Sequence, residues 1–215
     1  MVACSKIRVL IVDDHAIVRE GLKQILADTD DLEVGGEAET SSEAMNLTRQ
    51  QPWDLVLLDI SMPDRNGLET LQMIKKEHPG LNVLMLSMHR ETQYAVRSLK
   101  TGASGYLNKQ SAPDQLVKAI RQVASGRKYI SPELAEELAS EVSGEREVMP
   151  HKTLSNREYQ TLCMIAAGKT VSAIAEALSL SVKTVSMYRT RLLEKMRLKN
   201  NAELTHYAIK HGLVD

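Results

Sequence analysis

The sequence predicts an α/β domain, a doubly wound parallel sheet of five strands, followed by a small all-α domain built on a helix-turn-helix. Three observations carry this. Short apolar runs alternate with helical patterns five times in about 125 residues, the signature of a parallel sheet covered on both faces. A capping box near residue 155 then opens a run of short helices. The charge also changes sign. Residues 1–150 carry 17 Lys and Arg against 23 Asp and Glu, whereas residues 151–215 carry 10 against 5. An acidic front and a basic back imply separate tasks, the second on nucleic acid.

The first strand, Val9-Leu10-Ile11-Val12, runs into Asp13-Asp14. A helix follows, with Val18, Leu22, Ile25 and Leu26 on one face. Next come a strand at Leu32–Ala38, a helix at Ser41–Gln50, and the strand Leu55-Val56-Leu57-Leu58-Asp59. Pro63 and Asn66-Gly67 lead into a helix over Leu68–Glu77, which His78-Pro79-Gly80 breaks. The strand Val83–Ser87, a helix around Glu91–Lys100 and the strand Gly105-Tyr106-Leu107-Asn108 before Lys109 complete the pattern. Pro113 opens the fifth helix, whose apolar face is Leu116, Val117, Ile120, Val123 and Ala124. Met85 and Met88 read as strand filling, and Trp53 as a cover for the sheet edge.

These boundaries predict a first domain over 1–125, a linker with a short helix from Ser131 to Ser140 over 126–152, and a second domain over 153–215. In the second domain, Ser155-Asn156-Arg157-Glu158 is the capping box, with Leu154 and Tyr159 as its hydrophobic staple. Cys163 reads as a core residue, Gly168 stops the first helix and Thr170 caps the second. A third helix is expected from Val182 to about Leu198 and a fourth over Ala202–His211. Cys4 and Cys163 are too few for a disulfide framework, and no apolar run reaches membrane-span length. A cytoplasmic protein is the expectation.

Strand C-termini of an open α/β sheet converge on one edge, where ligands bind. Asp13, Asp14, Asp59, Ser87 and Lys109 all sit at such ends. Three close carboxylates supply half the hard-oxygen shell that Mg²⁺ requires, and one of them can act as a nucleophile toward phosphorus. Ser87 offers a hydroxyl donor and Lys109 a point charge for phosphoryl oxygens. An acid after a strand can merely cap a helix, but five such residues on one edge favour a phosphate site. His15 and His89 lie near it, and a lone histidine is a weak argument for a ligand.

Residues 6–124 resemble the receiver domain of two-component response regulators, a flavodoxin-like fold. The matching marks are Asp13-Asp14, Asp59 followed by Met62-Pro63 and Gly67, then Ser87 and Lys109. The resemblance implies that Asp59 accepts a phosphoryl group from a sensor histidine kinase. It also implies Mg²⁺ held by Asp14, Asp59 and the Ser61 carbonyl, with Asp13 acting through water. Tyr106 matches the aromatic that turns inward as Ser87 meets the phosphate. The surfaces around Glu91–Lys100 and Pro113–Ala124 would read the change out. Many receivers carry proline after the lysine, where this chain has Gln110.

On the third helix of the second domain, Val185, Tyr188, Leu192 and Met196 form the packed face. Lys183, Ser186, Met187, Thr190 and Glu194 point the other way, flanked by Arg189 and Arg191. Six basic residues against one acid between Lys183 and Lys199 provide the density that phosphate neutralisation needs. Lys183, Arg189, Arg191 and Lys199 are therefore expected on DNA phosphates, and Ser186, Met187 and Thr190 on base edges. Residues 153–215 resemble the LuxR-type helix-turn-helix of the NarL/FixJ family, through Leu154–Glu158, Ile174-Ala175, Leu178, Lys183-Thr184-Val185 and Lys195-Met196. The stretch His206–Leu213 is similar to regulators of the GacA/UvrY branch. A homodimer on double-stranded DNA is expected, pairing through Ala202–Ile209 with Leu204 and Tyr207 as candidates, whose alternative role is the domain core, and acting on RNA polymerase indirectly. The unphosphorylated receiver is expected to mask the recognition helix. A phosphate-transferring enzyme and an RNA-binding output are the rival readings, disfavoured by the lack of a substrate pocket and by the tight-turn helix pair.

Overall fold

The computed structural model describes residues 6–62, 66–88, 92–131, 134–136 and 149–214. They belong to two compact units, within residues 1–139 and 140–215. The first unit runs β1 (Ile7–Val12), α1 (Ala16–Ala27), β2 (Leu32–Ala38), α2 (Ser41–Gln50), β3 (Leu55–Asp59), α3 (Gly67–Glu77), β4 (Asn82–Ser87), α4 (Thr92–Thr101), β5 (Gly105–Asn108) and α5 (Pro113–Ala124). All strands pair in parallel, in the order β2-β1-β3-β4-β5. Order reverses between β1 and β3, which places the ligand crevice at their C-terminal ends.

The strands have no polar face because both sides are covered. Val9, Ile11, Leu55, Leu57, Leu84 and Leu86 form one cluster with Leu22 and Leu26 of α1 and with Leu116, Ala119, Ile120 and Val123 of α5. The alternate residues Leu10, Val12, Val56, Leu58 and Met85 are buried as well. Trp53 closes the β2 edge as expected. Its ring packs where a Cβ on Gly35 or Gly36 would lie 2.8 Å away, and its indole N–H donates to the Leu47 carbonyl at 2.9 Å.

One reading in this unit is corrected. Met88 does not fill a strand: β4 ends at Ser87, and the Met88 side chain is exposed just past it. Pro63, His89, Glu91 and most of the expected 131–140 helix and its polar continuation lie outside the described residues. The start of the linker is docked on the first unit, where Tyr129 bridges Gly105 in parallel and its N–H donates to the Ser104 carbonyl.

The second unit has a 3₁₀ turn at Pro150–Thr153, then α6 (Asn156–Ala166), α7 (Val171–Ala177), α8 (Val182–Met196) and α9 (Asn201–Lys210). The capping box forms in both directions. Ser155 N–H donates to Glu158 Oε2 at 2.8 Å, and Glu158 N–H donates to Ser155 Oγ at 3.4 Å. Leu154 and Tyr159 are buried beside it. Gly168 takes φ +82° after α6, a left-handed stop that glycine adopts without strain. Thr170 and Ser181 cap α7 and α8 through their hydroxyls. Helix α8 ends two residues earlier than expected, because Arg197 enters the left-handed region at φ +56°.

On α9 the alternative role of Leu204, in the domain core, is the one found. Leu204 is fully buried, since it and Ala208, one turn apart, face α6 and the domain core. Tyr207 is half-buried, and its hydroxyl lies 2.8 Å from His151 Nδ1. Ile209, on the outward side, is 60% exposed and is the large apolar residue that α9 presents.

Candidate functional site

Backbone hydrogen bonds bring the strand ends together. Asp13 N–H donates to the Ala38 carbonyl, Ile60 N–H to Leu86, and Lys109 N–H to Ser87, at 3.1, 3.1 and 2.8 Å. Asn108 Oδ1 accepts from Gln110 N–H at 2.7 Å, so an asparagine turn shapes the loop after β5. Gly67 has a steric reason to be glycine. A Cβ there would lie 2.0 Å from the Asp59 carbonyl oxygen, while its N–H donates to Ile60 at 2.9 Å. The residue after the asparagine cap of α3 therefore presses directly on the backbone of the central acid.

Asp13, Asp59 and Lys109 form a nearly dry triad. Lys109 Nζ lies 2.5 Å from Asp13 Oδ2 and 3.0 Å from Asp59 Oδ2, with all three side chains at most 6% exposed. Asp14 opens to solvent, and His15 Nδ1 sits 2.9 Å from its Oδ1. Asp13 Oδ2, Asp14 Oδ1 and Asp59 Oδ2 are buried ion-pairing atoms that accept no well-aligned hydrogen bond. Burial pushes the Asp59 carboxyl above its ordinary range. The Lys109 ammonium opposes this, Asp13 reinforces it, and the Ser61 N–H bonded to the carboxylate pulls it back in part. Three carboxylates facing one ammonium leave an excess of negative charge that a divalent cation would relieve. The hard-oxygen donor set fits Mg²⁺. Ser87 and Tyr106 are buried on β4 and β5 beside this edge.

Arg19 is the site residue that sequence reading overlooked. It is buried on α1, its Nη1 donates to the Asp13 carbonyl at 2.8 Å, and it pairs with Glu37 and Glu39 around β2. The signal was present. Arg19, Leu22 and Leu26 share an inward stripe, and a charge at that spacing implies a buried partner.

On α8, Lys183, Ser186, Met187, Thr190 and Arg191 are exposed, as is Lys199 beyond it. Arg189 is half-buried, and its Nε donates to Asn201 Oδ1 at 2.6 Å. Thr190 Oγ1 donates back to the Ser186 carbonyl at 3.0 Å, which leaves its methyl as the outward group. Val182, half exposed at the start of α8, extends the apolar part of this surface. Lys195 is a basic residue with an internal role, its Nζ 2.6 Å from the buried Glu158.

A buried acid–lysine pocket on a parallel sheet, joined to a helix-turn-helix, defines a phosphorylation-type receiver coupled to a DNA-binding module. Residues 9–121 match the response regulator receiver domain, and residues 152–208 match the bacterial regulatory proteins of the luxR family. The chain belongs to the NarL/FixJ (LuxR-type) two-component response regulators. It is 41% identical over 208 residues to response regulator UvrY of Escherichia coli (strain K12), covering 96% of this chain and 95% of that one. It is 40% identical to response regulator GacA of Pseudomonas protegens, covering 97% and 98%. RcsB of Salmonella enterica serovar Typhimurium, solved on the P1flhDC promoter with the phosphomimetic BeF₃⁻, superposes with a TM-score of 0.67 at 29% identity, covering 94% and 98%. Another RcsB structure, of two dimers on two parallel DNAs, gives 0.59 at 27% over the same shares. The chain is thus a response regulator that joins a receiver to a LuxR-type DNA-binding domain. Among the described residues, no helix is long and apolar enough to cross a membrane.

Proposed function

We propose that Asp59 is the phosphoacceptor of a cytoplasmic transcription regulator and that its phosphorylation controls a homodimer on double-stranded DNA. The working domain limits are 1–125, 126–152 and 153–215. The observation that carries the reading is the dry triad of Asp13, Asp59 and Lys109, in which Asp59 is buried without full compensation. An Asp59 carboxylate oxygen attacks the phosphorus of a sensor kinase phosphohistidine. The P–N bond breaks with its electrons leaving on the imidazole, and an acyl phosphate remains. Mg²⁺ held by Asp14, Asp59 and the Ser61 carbonyl, with Asp13 acting through water, would spread the charge on the phosphoryl oxygens. Lys109 moves its ion pair to the new phosphoryl group, Ser87 donates its hydroxyl to it, and Tyr106 follows inward. Exposed Met88 lines a recess of about 230 Å³ together with Val18, Leu22, Leu107, Lys109 and Leu116. This recess suits an apolar phosphodonor surface.

On DNA, Lys183, Arg189, Arg191 and Lys199 neutralise phosphates, Arg189 after release from Asn201, and Ser186, Met187 and the Thr190 methyl meet base edges. Exposed Ile209 supplies apolar surface for a second copy, and RNA polymerase responds to the bound dimer. Titrating operator and scrambled duplexes with the full chain, with and without acetyl phosphate and Mg²⁺, tests this. Phosphorylation should tighten operator binding. Lys183→Ala should flatten the salt dependence by about one unit, and Met187→Ala should cost about 1–3 kcal/mol on the operator alone. Equal weakening of both duplexes by Met187→Ala would overturn the base-reading role.

A further inference from the structure

We infer that the open edge of β5 is a docking surface for the chain's own linker, and that residues 127–130 form a detachable extension of the sheet through which the receiver drives its DNA-binding domain. This rests on the proposal that Asp59 is phosphorylated and names the segment that carries the effect onward. β5 is an edge strand, paired on one side with β4. On its other side Tyr129 makes a parallel bridge to Gly105, and the Tyr129 N–H donates to the Ser104 carbonyl at 2.9 Å. An uncovered strand edge is a template for extended chain, and here the start of the linker takes that place.

The receiver is shaped to accept this segment. A Cβ on Gly105 would lie 2.8 Å from the Tyr129 carbonyl oxygen, 3.0 Å from the Tyr129 Cβ and 2.9 Å from Leu84 Cδ1, so the missing side chain admits the linker backbone. Gly126 turns the chain back after α5 at φ +82°. Gln122 of α5 then clamps the returning segment, its Nε2 donating to the Lys128 carbonyl at 2.7 Å. The Tyr129 side chain packs against the core cluster that holds Leu84, Leu107 and Val123. The hold is local all the same. Arg127 and Lys128 are exposed, so the segment can open without unfolding the sheet. β5 also carries Tyr106 and runs into Lys109. Tyr106 follows Gly105 directly, so its inward turn toward Ser87 moves the backbone to which Tyr129 is bonded. A docked and a free arrangement of the linker convert that small shift into a discrete change.

Limited trypsin digestion of the full chain, mapped by peptide mass, reads the docking. The Lys128–Tyr129 bond can enter a protease only after Tyr129 has left β5, so its cleavage rate tracks the free population. Gln122→Ala should speed that cleavage roughly fivefold, the worth of one hydrogen bond. Gly105→Ala should speed it further. Both variants should take up phosphoryl groups from acetyl phosphate and Mg²⁺ at the wild-type rate. Phosphorylating the wild type should change its cleavage rate by about fivefold or more, because coupling acts in both directions. In both variants operator affinity should respond to phosphorylation several-fold less than in the wild type. Trp53 fluorescence in denaturant checks that Gly105→Ala leaves the sheet folded, and Gln122→Ala stands as the test that does not crowd it. Cleavage of the wild type that ignored phosphorylation, or a Gln122→Ala variant with a loosened linker and a full affinity gain, would overturn the inference. A wild type that took up no phosphoryl group would instead count against the underlying reading of Asp59.

Discussion

Asp59 in the receiver and Glu158 in the DNA-binding unit are both almost fully buried carboxylates, and their surroundings treat them in opposite ways. At Glu158 burial pushes the carboxyl upward, but the Lys195 ammonium at 2.6 Å and the hydrogen bonds that Ser155 gives the carboxylate from its backbone N–H and its hydroxyl outweigh it, so the group sits below its ordinary range. At Asp59 burial wins over Lys109, which it shares with Asp13, and the group sits above its range. The difference separates a carboxylate that holds a fold together from one left under-compensated, the one proposed above to take a cation and a phosphoryl group. A satisfied buried charge adds stability, and an under-compensated one stores a demand that a ligand meets.

Gly67→Ala should break the receiver side most severely. Its Cβ meets the Asp59 carbonyl backbone, which cannot swing aside as a side chain can, and the cost should be about 3 kcal/mol. Trp53 fluorescence in denaturant should show the loss, while unfolding of the helical unit followed by circular dichroism should not move.

Glu158→Gln should destabilise the helical unit by about 1–3 kcal/mol, since it removes the charged acceptor of Lys195 and weakens the cap. The linkage has a definite sign. The contribution of Glu158 is present above its unfolded value near 4.5 and is lost as pH falls through its lower folded value. Melting the variant and the wild type between pH 7 and pH 3 (about the span in which carboxylates titrate) should show the gap closing in acid.

Asp59→Asn should have a smaller effect of opposite sign. Without divalent cations, the variant should melt above the wild type at neutral pH, because burial no longer opposes a charge. The share of stability tied to Asp59 is present below about 3.8 and is lost as pH rises through its higher folded value. Asp59→Asn and Glu158→Gln shifting stability in the same direction would erase the contrast between the two carboxylates.

How much of this was legible in the sequence depended on whether a residue's role was set locally. Strand β2 and helix α2 fell on the expected residues, because apolar runs and helical spacing are local signals. The capping box of Ser155 and Glu158 was legible for the same reason. The strand ends carrying Asp13, Asp59, Ser87 and Lys109 followed from the rule that parallel strands share one C-terminal edge. Arg19 was missed because its partners, the Asp13 carbonyl, Glu37 and Glu39, come together only when β2 pairs with β1. Leu204 stayed open between pairing surface and core because Leu204, Tyr207, Ala208 and Ile209 wrap too far around α9 for spacing alone to choose the inward face. Packing against α6 makes that choice. The internal use of Lys195 was hidden by the excess of basic residues around it.

The most direct measurement is phosphoryl incorporation by the full chain from acetyl phosphate with Mg²⁺, read by intact mass and by peptide mapping. The wild type should gain a single acid-labile phosphoryl group on the peptide containing Asp59, chelation of the cation should prevent it, and Asp59→Asn should gain none. Incorporation that persisted in Asp59→Asn, or that mapped to another residue in the wild type, would contradict the assignment of Asp59 as the buried carboxylate kept for phosphate.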